Sequence, residues 1–128
     1  MTVRIVRLGT PRHRREGLRI GTVRRPPRGV PRTKHASGNW YDVWLPNLAP
    51  SAATIRAYMD AGSDAAWKKL ARAYRSEMAT PENRALLDVL AALSRTTNFS
   101  VGCYCEDEAR CHRSLLRKLL VEHGAKIA

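Results

Sequence analysis

Twenty-two consecutive residues, FSVGCYCEDEARCHRSLLRKLL (Phe99–Leu120), hold all three cysteines of the chain, one of its four histidines and four of its 23 basic residues. Thiol, imidazole and guanidinium groups at this density suit nucleophilic, acid–base and anion-binding chemistry. FSVGC reads as a strand and the residues after it as a helix. Two apart on a strand, Cys103 and Cys105 send their side chains to one face. Cys111, His112 and Arg113 fall in or near the first helical turn, where backbone N–H groups and the helix dipole favour negative charge. A Cys111 thiolate there, flanked by Arg110 and Arg113, is stabilised, which is how a reactive cysteine arises. His112 then serves as acid or base, and Arg113 grips a phosphate or carboxylate.

Three other readings compete. Cys103, Cys105, Cys111 and His112 supply four zinc-type ligands, but structural zinc sites usually separate a cysteine pair by two or more residues. Neighbours on a helix also point about 100° apart. Cys111 and His112 are therefore not expected on one ion, and no metal or other cofactor is expected. Cys105-x4-Arg110 has the length of a rhodanese-type or phosphatase-type anion loop, yet the intervening EDEA sets three carboxylates against an incoming anion. Finally, buried cysteines serve as small hydrophobes on core strands. For Cys103 and Cys105 that packing role weighs as much as function, whereas a Cys-His-Arg run at a helix start has no such packing need.

The elements that must position these groups follow from periodicity. TVRIVRL (2–8) and LRIGTVR (18–24) alternate as strands. RPPRGVPRTKHASGN (25–39) is a basic, proline-rich loop expected to be mobile without a ligand. WYDVWL (40–45) reads as a short strand or docking segment. Ser51 and Ser63 cap helices over AATIRAYMD and DAAWKKLARAYRSEM. Thr80-Pro81 opens a third helix, with Leu86, Val89, Leu90 and Leu93 as its expected buried stripe. The second helix buries Trp67, Leu70, Ala71, Tyr74 and Met78. A final helix over EDEARCHRSLLRKLLVEH packs through Leu115, Leu116, Leu119 and Leu120 and stops before Gly124, and AKIA adds an edge strand. Strands mixed with helices indicate an α/β fold. In such a fold ligand sites form where a strand's carboxyl end meets the next helix.

A length of 128 residues suits one domain, residues 1–128. No apolar run reaches the roughly 20 residues of a membrane span, and the arginine-threaded N-terminus lacks a secretory h-region. A cytoplasmic location is expected, and an odd cysteine count argues against a disulfide framework. The net charge is +12, and residues 1–35 hold eleven Arg or Lys against a single acid, Glu16. The other 93 residues are near balance, with twelve basic and ten acidic groups. A one-sided basic segment suits a polyanionic partner, although arginine-rich solvated surfaces give the same count.

CYCEDEARCHRSLLRKLL resembles the signature region of the domain-of-unknown-function 488 family, whose members carry a cysteine at a strand end and a CHR-type triplet opening the next helix. RRPPRGV (24–30) is similar to that family's Arg-Leu-Trp-Pro-Arg-Gly segment, with Pro26 in place of the tryptophan. YDVWLPNLAPS (41–51) and WKKLARAYRSEM (67–78) resemble its Asp-x-Trp-Leu-x-x-Leu-Ala-Pro-Ser segment and its Trp-x-x-Phe-x-x-x-Tyr-x-x-Glu helix. The YeaO-like branch is the nearest in pattern. The resemblance implies a small three-layer sandwich, with a mostly parallel sheet, helices on both faces and a site at the strand ends. It supplies no reaction.

These readings converge on a small enzyme or ligand-binding domain whose pocket takes an anionic small molecule or nucleotide. Arg24, Arg28 and Arg113 bind the anion, Cys103 and Cys111 lie in the floor, Cys111 is the nucleophile and His112 the acid or base. The alternative is a non-catalytic nucleic-acid-binding module, with the arginines of residues 4–35 on phosphates and Trp40, Tyr41 and Trp44 stacking on bases.

Overall fold

A computed structural model describes all 128 residues. Strands β1 (Val3–Arg7), β2 (Leu18–Gly21), β3 (Val43–Trp44) and β4 (Phe99–Cys103) form one sheet in the order β1-β4-β2-β3, and every pairing is parallel. The helices are α1 (Ala52–Ala61), α2 (Asp64–Met78), α3 (Pro81–Leu93) and α4 (His112–Glu122). The last strand in the chain is thus a central one, and all five of its residues are buried. None of the helices is long and apolar enough to cross a membrane.

Alternation along the strands sorts the two faces of the sheet. Val3, Ile20, Phe99 and Val101 meet Leu70, Tyr74 and Met78 of α2, Leu87 and Leu90 of α3, and the four leucines of α4 in one apolar core. Ser51, Ser63 and Thr80 cap α1, α2 and α3 as expected, each accepting a hydrogen bond from a backbone N–H three residues on. Such caps stabilise a helix by about 1 kcal/mol each.

The α/β class and the parallel sheet stand, with three local corrections. On α3 the buried residues are Leu87, Leu90 and Ala91, while Val89 and Leu93 face solvent. The true stripe is one residue off because Leu87, not Val89, lies on the side turned to α4 and the sheet. The acidic run does not open α4. Glu108–Arg110 forms a separate 3-10 turn, and α4 starts only at His112 with Cys111 as its N-cap. The AKIA segment contributes a single bridge, Ile127 to Val3.

The third layer is built from loops, with one 3-10 turn at Arg32–Lys34, where helices were expected. Its centre is an ion pair. Arg19 and Glu16 are 0% and 2% exposed, with Arg19 Nε 2.6 Å from Glu16 Oε2 and Nη2 2.9 Å from Oε1. Arg19 Nη1 donates to the carbonyls of Thr10 and Asn39, and Ser100 Oγ donates to Glu16. Arg12 pairs with Asp42, whose carboxylate also accepts from the Arg19 backbone N–H. Polar satisfaction on this face thus replaces the apolar contact that a helix would make. Gly17, at φ +72°, lets the chain pass so close to Asn98 that a Cβ would stand 2.0 Å from its carbonyl oxygen.

Burial by itself raises the Glu16 carboxyl, but hydrogen bonds from Arg19 and Ser100 overcome it and hold it below its ordinary 4.5. A depressed folded pKa gives stability that is present above the unfolded value and is lost as pH falls through the folded one. Glu16→Gln is expected to cost about 3 kcal/mol at pH 7, because it leaves Arg19 buried and unpaired. Urea unfolding from pH 7 to pH 3 should then show the wild-type and variant stabilities converging on the acid side.

Candidate functional site: a thiol–imidazole cleft at the strand ends

The carboxyl ends of β2 and β4 and the start of α4 meet at one point. Beyond β4 the chain turns at Tyr104 and Cys105, runs through the 3-10 turn and enters α4. Beyond β2, the Thr22 N–H donates to the Gly102 carbonyl at 2.9 Å, extending the β2–β4 ladder. The Thr22 carbonyl then faces α4 and accepts from His112 Nε2 at 2.7 Å. A carbonyl only accepts, so Nε2 carries the proton, and in the neutral ring Nδ1 offers a lone pair. That atom lies 3.8 Å from Cys111 Sγ.

The two groups converge because Cys111 is not helical. Its φ −118° and ψ 149° are those of an extended N-cap, so the roughly 100° divergence of helix neighbours does not apply. The objection that Cys111 and His112 point apart is therefore lifted. Cys103 and Cys105 share a face, with their sulfurs 3.8 Å apart. The ligand atoms of Cys103, Cys111 and His112 all lie within 4.8 Å of one another, and all three residues are buried.

The three sulfurs interact as one unit. Cys103 is raised, its S–H held between Cys105 and Cys111. Cys105, exposed at the mouth, is lowered by the hydrogen bond from Cys103 and then by that from Cys111, with Arg113 adding to the effect. Cys111 is lowered by Cys103 and by His112, against opposition from Cys105 and burial. Negative charge is thus favoured on Cys105 and Cys111 over Cys103.

These groups form the floor of a cleft of about 430 Å³ between the strand ends and the α1–α2 pair. Ile55, Tyr58, Met59, Trp67 and Leu70 make an apolar wall, in which the Tyr58 and Trp67 rings meet edge to face at 5.7 Å. Arg24, Arg25, Arg56 and Arg110 line the same cleft. Arg110 pairs with Asp64, and Arg24 donates to the carbonyls of Ala49 and Pro50, tying the β2 loop to the start of α1. Arg25 and Arg56 are exposed.

Cys103, Cys111, His112 and Arg24 line this cleft together, whereas Arg28 and Arg113 do not face it. Arg28 lines a separate cavity with Arg7, Thr10 and Trp40, and Tyr104 stands between the two. Arg113 is buried behind the thiols, where Nη2 donates to the Cys105 carbonyl and Nε has no partner. It holds the Cys105 turn in place of a ligand. Arg25, Arg56 and the aromatic wall went unread, although Tyr58 and Trp67 on facing amphipathic helices were a visible signal. Thr22 acts through its backbone carbonyl, which no side-chain pattern reveals.

Fold and floor together define a parallel α/β domain with a cysteine–histidine cluster at its strand ends. The family model described as the active DUF488-N3 subclade matches residues 3–124, and the chain belongs to the DUF488 family. That subclade match does not bear on the YeaO-like branch. Neither the curated proteins nor the solved structures include a match.

Thiol labelling should follow the charge distribution. With iodoacetamide at pH 6, Cys105 is expected to react first and Cys103 last, and Arg113→Met should slow Cys105. Peptide mass spectrometry reads the order directly, and early Cys103 labelling would contradict it.

Proposed function

We propose that this protein is a small enzyme acting on an anionic substrate of nucleotide type bound in the cleft. The observation that carries the reading is the Cys111–His112 pair, whose imidazole is held in one tautomer by Thr22 with its free nitrogen turned to the thiol. Cys111 gives its proton to Nδ1, and the sulfur attacks an electrophilic centre of the substrate. The bond to the leaving group breaks, and His112 returns the proton to that group. Water then releases the sulfur-bound product, with His112 again taking a proton. The Thr22 carbonyl stays on Nε2–H throughout and keeps Nδ1 turned to the sulfur.

The ligand class follows from the wall and the rim. A cleft of this size suits one small molecule. Trp67 and Tyr58 suit a planar apolar group, and Arg25 and Arg56 suit a phosphate.

The test is a panel of nucleoside monophosphates screened by thermal shift, followed by turnover of any binder. Arg25→Glu with Arg56→Glu should weaken binding at least about tenfold, the loss expected for charge-assisted contacts. Cys111→Ser should abolish turnover while keeping binding. Turnover that survives Cys111→Ser would defeat the thiol mechanism.

The charge asymmetry favours one further reading, nucleic-acid binding by the basic first third. Arg14, Arg15, Arg25, Arg28, Arg32 and Lys34 are exposed. Against it, Tyr41 is buried and the Trp40 ring is packed on Gly9, Gly38 and Tyr104. Arg7, Arg12, Arg19 and Arg24 are engaged by internal hydrogen bonds. Duplex or single-stranded oligonucleotides should accordingly bind only weakly at 150 mM salt. Tight binding with a steep salt slope would favour this reading instead.

A further inference from the structure

We infer that Cys103, Cys105, Cys111 and His112 form a zinc-type metal site, and that the metal gates the thiol. Zinc holds thiolate sulfur at about 2.3 Å in a tetrahedron, whose edges are then about 3.8 Å. That is the spacing of the Cys103–Cys105 sulfurs, and the 3.8 Å from Cys111 Sγ to His112 Nδ1 is close to the edge of about 3.6 Å that one sulfur and one nitrogen donor give. The atoms of Cys103, Cys111 and His112 fall within 4.8 Å of one another, and Cys105, whose sulfur meets that of Cys103 but lies outside this set, joins them by rotation of its exposed side chain. Three of the four donors come from fixed backbone, the end of β4 and the first residues of α4.

The surroundings are those of a metal site. A ligating histidine commonly donates its other N–H to a carbonyl or carboxylate, which fixes the ring, and the Thr22 carbonyl does this for His112. Three thiolates on a divalent cation leave one net negative charge. Arg113, 4% exposed and bonded to the Cys105 carbonyl, places a cation behind them with its Nε unpartnered. Soft sulfur donors with one imidazole select zinc over magnesium or calcium.

The site itself stands on this geometry. Its consequence, that zinc withholds Cys111 from substrate, rests on the thiol–imidazole reading above. Thiol chemistry at Cys111 and metal ligation by Cys111 exclude each other, so one chain has a metal-bound resting form and a metal-free reactive form.

The experiment uses the full chain, reduced and stripped with a chelator, and titrates cobalt(II) and then zinc. One equivalent of cobalt should give sulfur-to-cobalt charge transfer and the intense visible bands of tetrahedral coordination, and zinc should bleach both. Cys103→Ser should weaken binding by about a hundredfold or more, since losing a ligand exceeds the 10–100-fold loss from an outer-shell partner. Where that variant fails to fold, Cys105→Ser at the exposed position should bind more weakly, with one thiolate's share of the charge transfer gone. Alkylation of Cys111 should slow at least about tenfold with zinc bound, because a ligated thiolate is no longer free to attack. A titration with no tetrahedral spectrum overturns the metal site. A spectrum with unchanged Cys111 alkylation overturns the gating. The thiol reading fails separately, if Cys111 of the metal-free chain reacts no faster than a free peptide thiol.

Discussion

A guanidinium with no water around it, that of Arg19, sets the conditions for the loop side of this molecule. Burying that charge is costly unless it is paired and its donors are used. Glu16, Thr10 and Asn39 meet the requirement, and to do so the chain must fold two separate loops onto one sheet face. The Asn39 carbonyl that accepts from Arg19 also accepts from the Gly9 N–H, and Asn39 itself takes a positive φ of 62°. Trp40 and Tyr41 follow directly. Tyr41 lies so tightly on Gly21 that a Cβ there would stand 2.3 Å from its ring. Gly21 ends β2, and the next carbonyl, that of Thr22 after its own N–H joins β4, fixes His112. The geometry of the thiol–imidazole pair thus descends, residue by residue, from a buried ion pair on the far face of the sheet.

The same accounting explains why the charge count overstates the free charge of the basic segment. Arginine is used here as a five-donor connector as often as a surface charge. Arg12 ties the first loop to Asp42, Arg24 ties the β2 loop to the start of α1, and Arg113 ties the cysteine turn to α4. In a fold whose third layer is loop, backbone carbonyls need donors that no helix or ladder supplies. Arginine meets that need with planar, pre-organised geometry. A net charge of +12 therefore measures the structural demand of the loops along with any demand of a partner.

What the sequence made legible is local. The hydroxyl caps of α1, α2 and α3, the alternation in β1 and β2 and the stripe Leu70, Tyr74, Met78 on α2 all follow from rules spanning a few residues. The juxtaposition of the strand end and the CHR turn was also readable, since it follows from the class of fold. What could not be read depends on pairings between distant segments. The α3 stripe slipped because Val89 and Leu93 fit the same period as Leu87 and Leu90, and only the packing partner decides between them. Arg113 looked like an anion ligand from its place at a helix start, yet its side chain turns back onto a carbonyl eight residues earlier. The family resemblance implied helices on both faces, but the β1–β2 connection is too short to hold one and the β2–β3 connection is interrupted by Pro26, Pro27 and Pro31.

The start of α4 breaks a rule that the other three helices keep. Ser51, Ser63 and Thr80 close their helices with a side-chain oxygen, whereas Cys111 occupies the same position and makes no such bond. A serine or aspartate there would stabilise the helix by about 1 kcal/mol. The sulfur instead turns toward Cys103 and His112, and the helix forgoes its cap. Local rules are broken most often where a residue has work other than folding. The extended N-cap is also what makes the pair possible, because a helical Cys111 would direct its sulfur away from the His112 ring. The stability lost at the cap and the geometry gained at the cleft are therefore consequences of the same backbone conformation.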